Sequence, residues 1–224
     1  VPDGSTSLPA RLYLLAWDTT RLRLTGETQL AHLVRAGALT ELAQRGLLSD
    51  VDGIATPADL DARTRDLALD GLLELVEESR PRPWKTWVTL HAGVTLDAVR
   101  AQLAADGLLR AGRKRVLGLF PSLEYELEGV QVVETLQRRA RQVLVGPVPV
   151  TEVSDRDAAL VALAAAAELR TVVTAADRKR HKERIQALTD RSGAAAPALK
   201  RVVHEVRTAM VTAVTAASTM GAGT

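Results

Sequence analysis

The sequence predicts a mainly α fold: a single compact helical domain with a buried central helix bundle and a few short β-hairpins. Three observations predict it. Hydrophobic residues make up 46% of the 224 positions but aromatics only 3%, so Leu, Val and Ala fill the core, and such small side chains suit closely packed helices. Apolar residues recur at helical spacing in segment after segment. Glycine and proline punctuate the gaps between those segments. The length fits one domain.

Along the chain, residues 1–9 read as a flexible tail, 10–218 as the helical domain and 219–224 as a C-terminal tail. Residues 10–16 (ARLYLLA) suit a first helix or a buried strand. Asp18-Thr19-Thr20 breaks it, and RLRLTG alternates polar with apolar. A helix is expected over Leu30–Gln44, because Leu30, Leu33, Val34 and Gly37 share one face. Gly46 followed by Leu47 resembles a glycine stop with a hydrophobic residue after it. Residues 51–70 are acidic and irregular. Residues 68–79 return to helical period and stop before Pro81 and Pro83.

Lys85–His91 is a short amphipathic piece, and helical period resumes over Leu96–Ala105, ending at Gly107. Residues 42–48 (LAQRGLL) and 103–109 (LAADGLL) match at five of seven positions. Each leads into a candidate hairpin, Ser49–Ala55 and Arg110–Phe120, the order in which a winged-helix unit ends. Val130–Val143 is helical, with Arg138, Arg139 and Arg141 near its end, and Gly146–Pro149 breaks the chain. Ser154 or Asp155 caps the next helix, Arg156–Ala167, whose Ala, Leu and Val content predicts burial on all sides. Residues 176–191 read as a basic, solvated helix, and Ala196–Ala217 as the closing one.

Several function classes are excluded or left without support. The chain has no cysteine, which removes disulfides, thiolate catalysis and cysteine zinc sites and is compatible with a reducing cytosol. VPDGSTSLPA lacks the apolar run of a signal peptide. The longest apolar run, Ala158–Ala167, is far short of the roughly 20 residues that span a bilayer. His32, His91, His181 and His204 have no metal-ligand spacing, and no G-x-S-x-G, P-loop or G-x-G-x-x-G occurs. Glu77-Glu78 does not form a catalytic pair, since adjacent helix positions face apart. No enzyme activity, cofactor or metal is expected.

The remaining signal is basic. The net charge is only +2, but 24 of the 29 basic residues are arginine, the residue suited to bidentate contact with phosphate or carboxylate. Arg110, Arg113, Lys114 and Arg115 sit at one candidate hairpin tip, and Arg178, Lys179, Arg180, Lys182 and Arg184 on one helix. Each group is a solvated surface or a phosphate contact. Low net charge and scarce aromatics argue against nucleic acid. The alternative function, a winged-helix-like module binding protein or DNA, would use the 110–120 hairpin.

Two single arginines stand apart from those groups. Arg35 has Ala31, His32, Ala38 and Leu39 as its helical neighbours, so it either snorkels past them or meets an anion. Arg156 opens a helix, where backbone N–H groups favour phosphate.

Four segments, in order, resemble the Golgi phosphoprotein 3 family of peripheral membrane proteins: LVRAGALTELAQRGLL (33–48), ALDGLLELVEESRPRPWKTWV (68–88), VRAQLAADGLL (99–109) and SDRDAALVALAAAAEL (154–169). The resemblance runs from about Leu8 to Ala217. It implies a mostly helical protein at a membrane surface that binds an anionic phospholipid or phosphoinositide headgroup, phosphatidylinositol 4-phosphate, and in eukaryotes retains Golgi enzymes as protein cargo. It places Arg35 on the family's pocket arginine and Arg156 on the arginine opening the buried helix. The pocket tryptophan's position holds Gly26, and that of a second basic residue holds Val153. The stretch at 176–184 replaces the family's oligomerising hairpin, which favours a monomer. The compact, alanine-rich form is similar to a bacterial-type member, cytoplasmic and peripheral.

Overall fold

A computed structural model describes residues 6–59, 61–116 and 120–195, together with Val202 and His204; of the expected closing helix, Ala196–Ala217, only those last two residues are described, both helical, and the expected C-terminal tail lies outside the described residues. The described residues include nine α-helices and three small antiparallel sheets. Helix α1 is Leu8–Leu15. The hairpin of β1 (Trp17–Asp18) and β2 (Arg23–Leu24) follows it. Helix α2, Glu27–Gln44, runs through the centre and packs on α1, on α3 (Leu67–Glu77), on α4 (Trp84–Thr89), on α5 (Ala92–Ala105) and on α7 (Asp155–Ala166).

Leu8 and Pro9 correct the expected tail. They form the first turn of α1 and are buried. The reason is tertiary: Glu41 of α2 accepts the Leu8 N–H through Oε2 at 2.5 Å, so a side chain 33 residues away caps the helix start.

Helix α2 is buried on more than the single expected face. Arg35, Ala36, Ala38, Leu39, Thr40, Glu41 and Leu42 are covered along with Leu30, Leu33 and Val34. Gly37 lets α1 approach closely. A Cβ built there would lie 2.5 Å from Leu12 Cδ1 and 3.2 Å from Pro9 Cα.

The faint repeat is the same cap used twice. After α2, the Leu47 N–H bonds the Leu42 carbonyl and the Gly46 N–H bonds that of Ala43, with Gly46 at φ +72°. After α5, Leu108 bonds Leu103 and Gly107 bonds Ala104, with Gly107 again at +72°. Both are Schellman stops, and each leads into a hairpin. The first pairs β3 (Leu48–Val51) with β4 (Ile54–Pro57), joined by β5 (Arg82–Pro83); the second pairs β6 (Leu109–Val116) with β7 (Phe120–Leu127).

Helix α6 is Val130–Val145, and a short 3₁₀ turn, Val150–Glu152, leads into α7. Ser154 caps α7, its side chain accepting the Asp157 N–H. Ala158–Ala166 are all buried, so α7 is the second central rod. The expected basic helix at 176–191 is instead two, α8 (Ala175–Arg180) and α9 (Lys182–Ala195), separated at His181. Helix α9 is not solvated all round, because Ile185, Leu188 and Ser192 are buried and it packs on α7. Among the described residues, no helix is long and apolar enough to cross a membrane.

Candidate functional site

Arg35 neither snorkels nor reaches the surface; its relative exposure is 0%. Nη2 donates to the His91 carbonyl at 2.6 Å. Nε and Nη1 have no partner. Burial pushes the guanidinium down to about 10, still well above neutral pH, so the group is a buried cation. Unmet N–H groups in such a place normally cost 1–3 kcal/mol or more, and no carboxylate offsets the charge among the described residues.

His91 is the start of α5. It holds φ +52°, and no side chain caps the helix there. Its carbonyl also accepts the Val94 N–H at 3.0 Å. No acidic residue lies in the first turn, so Arg35 and the positive end of α5 point into the same neighbourhood. Ala92 is buried, whereas His91, Gly93 and Val94 are exposed, Val94 by 66%. This partnership of Arg35 with α5 is missing from the sequence reading, which has α5 begin later, at Leu96.

Arg156 sits elsewhere. Its Nη2 donates to the Thr6 carbonyl and lies 3.4 Å from Glu41 Oε1. Glu41 is 4% exposed; besides capping α1 it accepts from Arg45 at 2.5 Å. Arg11 adds to the knot, with Nε on the Thr6 carbonyl at 3.1 Å and Nη1 3.7 Å from Asp157. Desolvation lowers the Arg156 pKa, partly opposed by Glu41. These contacts tie the entry of α1, the end of α2 and the start of α7 together. Positions 35 and 41 are about 120° apart around α2, so Arg35 and Arg156 serve different sides of that helix and meet no common partner.

The two positions where the family resemblance fails have physical explanations. Gly26 is the N-cap of α2 at φ +68°, a conformation that disfavours a tryptophan, although a Cβ there would meet open space. Val153 is 5% exposed, so its side chain belongs to the core.

The two basic groups are partly committed to the fold. Arg110 pairs across its hairpin with Glu126 and Glu128; the side chains of Arg113, Lys114 and Arg115 lie outside the described residues. Arg184 donates to the Val143 carbonyl at 2.9 Å and the Val148 carbonyl at 2.7 Å, closing the end of α6. Arg178 pairs with Glu168. Among the described residues, no cluster of His, Asp or Glu could hold a metal ion.

The family model described as Golgi phosphoprotein 3 (GPP34) matches residues 8–206. No curated protein matches the chain.

Proposed function

The chain belongs to the Golgi phosphoprotein 3 family, and from that membership we propose a non-enzymatic, cytoplasmic protein that docks on membrane surfaces by binding anionic phospholipid headgroups, phosphatidylinositol 4-phosphate first among them. One observation carries the reading: a fully buried arginine, Arg35, keeps two donor groups unpartnered beside the uncapped start of α5.

A phosphate oxygen is the partner that fits. A guanidinium presents planar pairs of donors to it, and first-turn N–H groups of a helix add a second set. The route in is the α4–α5 junction, where His91 and Gly93 are exposed. The headgroup would take over the Arg35 donors as the His91 carbonyl moves aside. Val94, exposed on the same turn, would rest against the acyl boundary. Arg156 supports this arrangement from a distance by fixing α1 and α7 to α2.

Vesicle co-sedimentation tests it. Wild type is expected to pellet with vesicles containing phosphatidylinositol 4-phosphate and not with phosphatidylcholine alone. Arg35→Met, of similar length without the charge, is expected to stay in solution, and Arg35→Lys to bind weakly. A folded Arg35→Met protein that pellets like wild type would falsify the reading.

A further inference from the structure

A second feature lies at the other end of α2. A cleft of about 1300 Å3 opens between the β1–β2 hairpin, the first turns of α2 and the end of α7. Arg21, Arg23, Arg170 and Arg178 line it, along with two carboxylates, Asp18 and Glu168.

Both carboxylates are already engaged. Asp18 Oδ2 accepts from Arg21 at 3.0 Å, and Oδ1 accepts the N–H groups of Thr20 and Arg21. Glu168 pairs with Arg178. Arg23 and Arg170 are exposed, and among the described residues neither has a side-chain partner. The cleft therefore holds two surplus positive charges, in a chain whose net charge is only +2.

The cleft is also preformed and partly apolar. Leu24, half-buried, is the leucine of the lining that presents apolar surface, while Leu30, Leu33 and Leu169 are buried in its floor and walls. Its two walls are pinned to the same few residues. Thr171 Oγ1 donates to the Leu15 carbonyl at 2.5 Å, Gln137 to that of Trp17 at 2.7 Å, and the Thr25 N–H to that of Ala16 at 2.9 Å. The backbones carrying Arg23 and Arg170 are thus held in place before any ligand arrives, which lowers the ordering cost of binding. Glu168 stands at φ +50° at the end of α7, where glycine is the usual residue; its carboxylate keeps Arg178 occupied.

We propose that this cleft binds an anionic amphiphile: a phosphate monoester on an apolar chain, with the phosphate between Arg23 and Arg170 and the start of the chain against Leu24. A phosphate monoester is close to a dianion at neutral pH, which matches two unpaired guanidinium groups. The same chemistry is offered by phosphatidic acid in a bilayer and by a free alkyl phosphate in solution.

Calorimetric titration with octyl phosphate and inorganic phosphate tests the site. Wild type is expected to bind octyl phosphate more tightly than inorganic phosphate. Arg23→Gln with Arg170→Gln, both at exposed positions, is expected to weaken octyl phosphate binding by at least about tenfold, the loss of one charge-assisted pair. Glu168→Gly frees Arg178 and suits the left-handed position, so it is expected to tighten binding several-fold. Unchanged affinity in the double variant, weaker binding by Glu168→Gly, or inorganic phosphate binding as well as octyl phosphate overturns the proposal. Vesicles containing phosphatidic acid, offered to Arg35→Met so that the site beside α5 does not contribute, then identify the source: capture that the added Arg23→Gln and Arg170→Gln abolish assigns the ligand to a bilayer, and octyl phosphate binding without capture assigns it to solution. Repeated in Arg35→Met, which lacks the headgroup site beside α5, the same titrations read this cleft alone, so the two sites fail or succeed separately.

Discussion

Arg35 and Arg156 are both arginines of core helices, and the fold treats them in opposite ways. Arg156 is half-covered and surrounded by acceptors: the Thr6 carbonyl, Glu41 and, one residue on, Asp157. Arg35 is fully covered and receives one carbonyl. The first arrangement holds three helices together. The second weakens the fold, since a buried charge without a counter-charge is worse than an apolar residue of the same size. The difference teaches which arginine is free to act on something outside the protein.

The comparison breaks most readily at Glu41. Glu41→Ala removes the cap of α1 and the anion beside Arg156 and Arg45, and is expected to cost about 3 kcal/mol, read by urea unfolding. Gly37→Ala comes next. Its Cβ would push Pro9 backbone away and shift Thr6 from Arg156, costing about 2 kcal/mol in the same assay.

Arg35→Met is expected to have the opposite sign and raise stability by about 1–2 kcal/mol while vesicle binding falls. The pH dependence sharpens this point. Arg35 has its pKa lowered to about 10 while the unfolded chain keeps the higher, ordinary arginine value. Wild type therefore gains stability as pH climbs through about 10, because the unfolded state then holds the extra proton. The advantage of Arg35→Met should shrink over that range, and an advantage that stays constant would remove the buried charge as its cause.

The smallest effect lies one turn earlier, at His32, whose pKa is lowered by burial. As pH falls below about 6.5, the unfolded chain protonates first and wild type loses stability. His32→Gln should lose less, measured as the difference in melting temperature between neutral and mildly acidic buffer.

What sequence makes legible here is local. Gly46 and Gly107 announce their stops because a left-handed residue after a helix is a near-neighbour requirement. Ser154 announces α7 for the same reason, and the Ala-rich run from Ala158 announces its burial. The break at His181 is silent. Residues 177–184 are almost all charged, so no apolar period exists for the break to interrupt. The start of α1 is silent too, since its cap is Glu41. Arg35 is legible as an oddity but its partner is not: a carbonyl carries no side-chain signature, and His91 lies 56 positions away. The arginine cleft is hidden likewise, because Arg23 and Arg170 meet only through tertiary structure.

Helix α1 has only eight residues, too few to persist as an isolated helix in water. Both of its ends are held by distant side chains, Glu41 at the start and Thr171 with Gln137 at the Leu15 carbonyl. Release at either end therefore requires α2, or α6 and the segment after α7, to come apart as well. In hydrogen–deuterium exchange, the α1 amides should accordingly open with the whole domain instead of fraying ahead of it.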